Sequence, residues 1–216
     1  PAAAAAPPAA AAAPKARARS ARSAPRDASA PDMSRAPLEQ FSLGLPPRTL
    51  IAPNFRLYEL TRSDLAARLG IANGFENLPQ LRAAINLARH VLQPVRDAFG
   101  SFTPNSVFRG QQLERALKKK PSTWLSTSQH AKGEACDIEI VAKPTLELAE
   151  WARDHLPDFD QIICECYDPD EGPNSGWVHI SLKAPGTGTN RRKCLSYVRD
   201  PGSGRLVYVE GLQAVA

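Results

Sequence analysis

Two histidines and an aspartate stand where the sequence can do chemistry. His130 and Asp137 flank AKGEAC within STSQHAKGEACDIEI, residues 126–140, and His179 lies in GWVHISLK. Imidazole nitrogen and carboxylate oxygen are ligands that zinc takes at roughly 2.0–2.2 Å, and a catalytic zinc keeps three protein ligands and an open position for water. A loop histidine, a strand aspartate and a histidine on a neighbouring strand can converge as that set. The competing account is that antiparallel sheets have a wet side, where polar residues need no further reason. That account covers Asp137 and Glu165. It covers less well His179 on one face with Trp177 and Ser181, or His130 one loop ahead of Asp137.

Other residues of similar chemistry read as structural. His90 has no partner nearby in sequence, and His155 falls in the last turn of a helix, where a cation suits the dipole. Cys136, Cys164, Cys166 and Cys194 include no CxxC pair and do not make a disulfide framework in a chain of 216 residues. A reducing compartment is the simpler reading. Cys164 and Cys166, on a strand face with Ile162, read as buried packing rather than ligands. Lys118, Lys119 and Lys120, just before Pro121, read as a solvated helix end.

Several elements must position these residues. NFRLYELTRSDLAARLGI has apolar positions at Leu65, Leu69 and Ile71, with Thr61 or Ser63 placed to cap a short helix that Gly70 ends. LPQLRAAINLARHVLQPVRDAFG carries Leu81, Ile85, Ala88 and Leu92 at helical spacing, with Gly100 closing the helix and Pro94 kinking it. RGQQLERALKKKP and PTLELAEWARDHL predict two more helices, the second burying Leu146, Ala149 and Trp151. ACDIEIVA, DQIICECY and GWVHISLK alternate with period two and predict strands. The turn-rich DPDEGPNSG between the last two fits a hairpin, and DPGSG near the end fits a terminal one. The expectation is an α+β fold, a small antiparallel sheet whose apolar face packs against helices and whose other face carries Asp137, Glu165 and His179.

Composition sets the boundaries. A 43% hydrophobic content in 216 residues suffices for one globular domain. Residues 1–50 read as a disordered Ala/Pro/Arg-rich tail and linker, and 51–216 as the folded domain. The net charge of +5 belongs to the tail: Lys15, Arg17, Arg19, Arg22 and Arg26 precede any acid, and residues 27–216 hold 22 basic and 22 acidic side chains. The domain itself therefore requires no polyanionic partner, while the basic tail suits weak, salt-sensitive contact with DNA or anionic cell-wall polymer. The alanine run is broken by Pro7 and Pro8, and no segment offers the roughly 20 apolar residues of a membrane span. The chain reads as soluble. A signal peptide places its charges before the apolar stretch rather than after it, so none is expected. Pro1 is no initiator; the sequence reads as processed, truncated or translated from upstream, with Met33 as an alternative start.

SQHAKGEACD, Ser128 to Asp137, matches at every fixed position the SxHxxGxAxD motif of the M15 family of zinc D-Ala-D-Ala carboxypeptidases and L-alanyl-D-glutamate endopeptidases. WVHIS is similar to the second zinc motif of that family. NFRLYELTRSDLAARLGI, NLARHVLQPVRDAFG and FDQIICE resemble its branch common in phage and bacterial genomes. The resemblance spans about residues 53–183. It implies the small α+β fold shared with hedgehog signalling domains, one Zn2+ held by His130, Asp137 and His179, and hydrolysis of peptide bonds in peptidoglycan stems. It also implies a setting of phage lysis, virion entry or cell-wall remodelling, by a protein cytoplasmic until released or carried on a virion. Gly133 and Ala135 then let the loop and strand approach closely enough to bring His130 over Asp137.

Many members carry an acid three positions before the last histidine, where this chain has Gly176. Glu165, on the adjacent strand and the face of His179, is the alternative general base. Arg109, in SVFRGQQ, stands where the family has an SGYRS-like segment, and its planar fork suits a substrate carboxylate or carbonyl. Ser128, Trp177 and Ser181 complete the expected substrate contacts. The missing acid also fits a second reading, a non-catalytic zinc module used for binding or virion architecture.

Overall fold

The computed structural model describes residues 30–141, 143–200 and 202–214; the basic tail, residues 1–29, lies outside them. A two-stranded ribbon, β1 (Leu50–Ala52) and β2 (Phe55–Arg56), leads into helix α1 (Asp64–Leu69). Ser63 caps α1, its hydroxyl accepting from Ala66 N–H at 3.2 Å, and Gly70 ends it in the left-handed conformation. Only Ala66 of α1 is buried, and Leu69 is exposed, so the apolar spacing marks a short surface helix rather than a core one.

The long helical segment divides. α2 (Leu78–Leu87) and α3 (Gln93–Phe99) are joined by a π-helical turn over Ala88–Leu92, in which Gln93 N–H reaches Ala88 O five residues back. Pro94 has no N–H to give and its ring crowds the preceding turn, so the expected kink takes the form of a widened turn. His90 is exposed on that turn. The neighbouring Arg89 donates to the carbonyls of Met33, Ala36 and Ile51. That fork ties the stretch before β1 onto the domain, and Phe41 there is 1% exposed. Residues of the expected linker are thus part of the packed structure.

Helices α4 (Gln111–Lys118), α5 (Gln129–Lys132) and α6 (Thr145–His155) alternate with a five-stranded sheet of order β3-β5-β4-β6-β7. Its strands are β3 (Ala135–Ile138), β4 (Gln161–Glu165), β5 (Trp177–Ser181), β6 (Lys193–Arg199) and β7 (Leu206–Glu210). β3, β4 and β5 pair antiparallel and β6 with β7 forms the terminal hairpin, but β4 and β6 run parallel, so the sheet is mixed. β3 stops at Ile138, and β4 stops at Glu165 because Cys166 turns to φ +55°. Cys166 therefore leaves the Ile162 face expected for it. Cys136, Ile138, Ile162, Cys164, Val178 and Ile180 are 0% exposed and pack with α2 and α6. Burial pushes the Cys164 thiol up to about 12, in keeping with a packing role. No helix among the described residues is long and apolar enough to cross a membrane.

Candidate metal centre

The opposite face of the sheet carries the chemistry. Asp137 on β3 and Ile163 on β4 flank His179 in register on β5, and Glu165 pairs with Trp177 one step along. Directly paired residues share a face, so Asp137, His179 and Glu165 project to one side. The outer edge of β3 is fixed as well: Asp137 N–H donates to Ser106 O at 2.8 Å, and Asn105 N–H donates to Asp137 O at 2.8 Å.

His130 arrives from α5, whose end needs a residue without a side chain. Gly133 has φ +76°, and a Cβ there would lie 2.4 Å from Gln80 O and 3.1 Å from Ala84 N. The close approach is to α2 rather than to the strand, so this glycine docks the short helix onto α2. His130 Nδ1–H donates to Val107 O at 2.7 Å, because a carbonyl can only accept. That bond leaves Nε2 with its lone pair facing the sheet, as a carbonyl partner does for many metal-binding histidines.

Three ligand atoms meet there. His130 Nε2 lies 3.2 Å from Asp137 Oδ1 and 3.2 Å from His179 Nδ1, and His179 Nδ1 lies 3.0 Å from Asp137 Oδ1. All three residues are buried, and they are the one His/Cys/Asp/Glu group among the described residues that can hold a metal ion. Burial lowers the His130 pKa, outweighing the pull of Asp137, and so favours the neutral, ligating imidazole. Burial works against the Asp137 carboxylate, but the two histidines outweigh it and hold the group well below the usual range.

Arg109 is present but engaged. Its Nη1 donates to Asp137 Oδ2 at 3.0 Å and Ser106 Oγ at 3.2 Å, its Nε donates to Glu114 Oε1 at 2.7 Å, and its backbone N–H reaches His130 O at 3.3 Å. It thereby orients Asp137 so that Oδ1 faces the histidines. Glu114 on α4 is fully buried; Lys118 Nζ and Ser126 Oγ meet its other oxygen at 2.7 and 2.6 Å. Burial opposes its ionisation, yet these partners hold its carboxyl below the ordinary range. Lys118, at the solvated end of α4, is at the same time paired with this buried acid and lies over the Trp124 ring.

A cleft of about 380 Å³ opens over the three ligands. Glu165, Trp177 and Ser128 line it, together with Gln161, Ile163 and Tyr208. Burial raises the Glu165 pKa and Asp137 adds to the rise, against His179, Arg109 and a hydrogen bond from the Trp177 indole. Ser181 is not brought into the cleft: it is 0% exposed, and its Oγ accepts from Gln161 N–H at 3.0 Å. Sequence reasoning missed Glu114 and Tyr208. The first sits in an ordinary run of charged helix residues; the second lies on the last strand, far along the chain from the other cleft residues. A larger groove, about 540 Å³, near Asp32–Ala36 lies apart from this cluster.

A search of curated proteins finds no match. The sequence model of the Peptidase M15 family matches residues 53–181, a span that holds all three ligands, Glu165 and most of the cleft. With more than half of its length in that match, the chain belongs to the M15 peptidases.

Proposed function

We propose that the protein is a zinc-dependent peptidase that hydrolyses peptide bonds in the stem peptides of bacterial peptidoglycan, with Glu165 as general base. The observation that carries this reading is the His130, Asp137 and His179 triangle, 3.0–3.2 Å on each side, at the floor of a cleft that also holds a carboxyl of raised pKa.

The donor set fits zinc: two imidazole nitrogens and one carboxylate oxygen, with the His130 tautomer held by Val107. A bound zinc ion supplies Lewis-acid polarisation of the scissile carbonyl and a more acidic water. The chain's own residues do the rest. Glu165 accepts the proton of the attacking water on a carboxylate oxygen and returns it to the leaving amine, a task suited to a partly buried carboxylate whose pKa burial raises. The Trp177 side chain, paired across the strands with Glu165, favours the ionised carboxylate. Arg109 fixes Asp137, and Ser128 and Trp177 bound the space for the peptide.

The test is mass spectrometry of fragments released from purified peptidoglycan by zinc-loaded protein, beside a chelated control. Chelator-sensitive release of free D-Ala identifies a carboxypeptidase, and release of stem peptides an endopeptidase. Zinc-loaded, folded protein that releases nothing from several wall chemotypes refutes the proposal in favour of a non-catalytic zinc module.

A further inference from the structure

The sheet face that bears the three ligands continues past them as a cross-strand row. Trp177 on β5 pairs with Glu165 on β4, Glu165 with Tyr197 on β6, and Tyr197 with Tyr208 on β7. Paired residues share a face, so all four stand on the side of His179. With strands about 4.8 Å apart, the row extends roughly 14 Å from Trp177 to Tyr208. The Tyr197 and Tyr208 rings lie 4.4 Å apart at an interplanar angle of 30°. Tyr208 is 59% exposed and lines the same cleft as the ligands. Both tyrosines lie beyond residue 181, where the family match ends.

β7 is an edge strand, and edges are usually blunted by charge. This one carries the charged Glu210 at its end but exposes Leu206, Val207 and Tyr208 along the rest. Tyrosine provides a rigid apolar face with a polar rim at little conformational cost, which suits a ligand built the same way. A pyranose ring is such a ligand, with a C–H face and a perimeter of hydroxyl and amide groups. The alanine and glutamate of a stem peptide offer a methyl or a carboxylate, and neither covers a phenol ring. The row runs from Trp177 and Glu165 to Tyr208, and its two ends line the same cleft, so one extended ligand can lie over the centre and reach Tyr208.

We propose that Tyr208, backed by Tyr197, forms a sugar subsite that receives a hexosamine ring of the glycan strand while the attached peptide crosses the metal centre. The proposal rests on the peptidoglycan reading above and goes further, to the part of the polymer that is recognised.

The experiment compares zinc-loaded wild type, Tyr208→Ala and Tyr208→Phe on a stem peptide and on the same peptide attached to its disaccharide. Binding of the peptide-free disaccharide is measured separately by calorimetry. Wild type is expected to have a lower KM for the disaccharide-peptide than for the free peptide. Tyr208→Ala should shrink that advantage by about tenfold, the size of one aromatic contact, and weaken the disaccharide alike. Tyr208→Phe, which keeps the ring face, should stay within about twofold of wild type. Equal KM changes on both substrates, or no change on either, overturn the sugar subsite. If wild type cleaves neither substrate yet binds the disaccharide through Tyr208, the peptidase reading falls and the subsite stands. Cleavage of both substrates with no disaccharide binding has the opposite meaning.

Discussion

A Cβ on Gly176 would lie 2.1 Å from the carbonyl oxygen of Glu165 and 2.6 Å from the carbonyl carbon of Cys166. Gly176 also has φ +67°, a conformation that side-chain-bearing residues rarely adopt. The position where the family resemblance leads one to expect an acid is here backbone pressed on backbone, and a carboxyl that lines the cleft is the side chain of Glu165 itself. Gly176→Asp should therefore lose stability, by about 2 kcal/mol or more from strain and overlap. A melting curve checks this, and a Gly176→Asp protein with wild-type Tm would contradict the packing described.

Glu165→Gln keeps the shape of the side chain and removes its basicity. Zinc content should be retained while kcat falls by about 10²- to 10⁴-fold, the usual worth of a general base. Metal analysis and steady-state kinetics on one preparation separate the two effects. An active Glu165→Gln enzyme moves the base to another group.

Burial raises the Glu165 pKa in the metal-free protein, so its carboxyl should titrate there above the ordinary glutamate value of about 4.3. A dication held by His130, Asp137 and His179 would draw it back down. NMR titration of chelated wild type beside Glu165→Gln reads the metal-free value, and a Glu165 midpoint at or below the ordinary one would contradict the burial described.

Metal-free protein should lose stability on acidification in two ranges. His130 has a lowered folded pKa, so it favours the fold fully above its unfolded value of about 6.5 and loses that contribution as pH falls toward the folded value. Asp137 is depressed too, so its contribution is complete above about 3.9 and disappears as pH drops further. Tm of chelated protein against pH should show both declines. His130→Ala should remove the upper one, together with metal binding and hydrolysis.

Glu114 touches none of the ligands, but it grips the Arg109 fork that turns Asp137. Glu114→Gln should weaken metal binding by about tenfold, the low end of what an outer partner of a metal ligand contributes. Competition with a chelator measures this, and the Tm of metal-free protein reports separately how far the change merely loosens α4. Unchanged metal affinity with a lowered Tm would make Glu114 purely structural.

The sequence by itself singled out His130, Asp137 and His179 as candidate ligands and put the two strand residues among them on one sheet face. SxHxxGxAxD is dense and local, and period-two alternation in DQIICECY and GWVHISLK assigns Glu165 and His179 to one side without coordinates. The longer helices, a cap at Thr61 or Ser63 and both hairpins were legible for the same reason, each depending on residues a few positions apart, whereas the short helix α5 under His130 read as a loop. Tertiary structure decided what depends on residues far apart in the chain. The parallel pairing of β6 with β4, which through β7 brings Tyr208 to the cleft, leaves no local trace. The capture of Arg109 by Asp137 and Glu114, the burial of Ser181 and the docking of Gly133 on α2 likewise follow from which backbones meet. Periodicity reports which way a side chain points, whereas what it points at is set by packing across the whole fold.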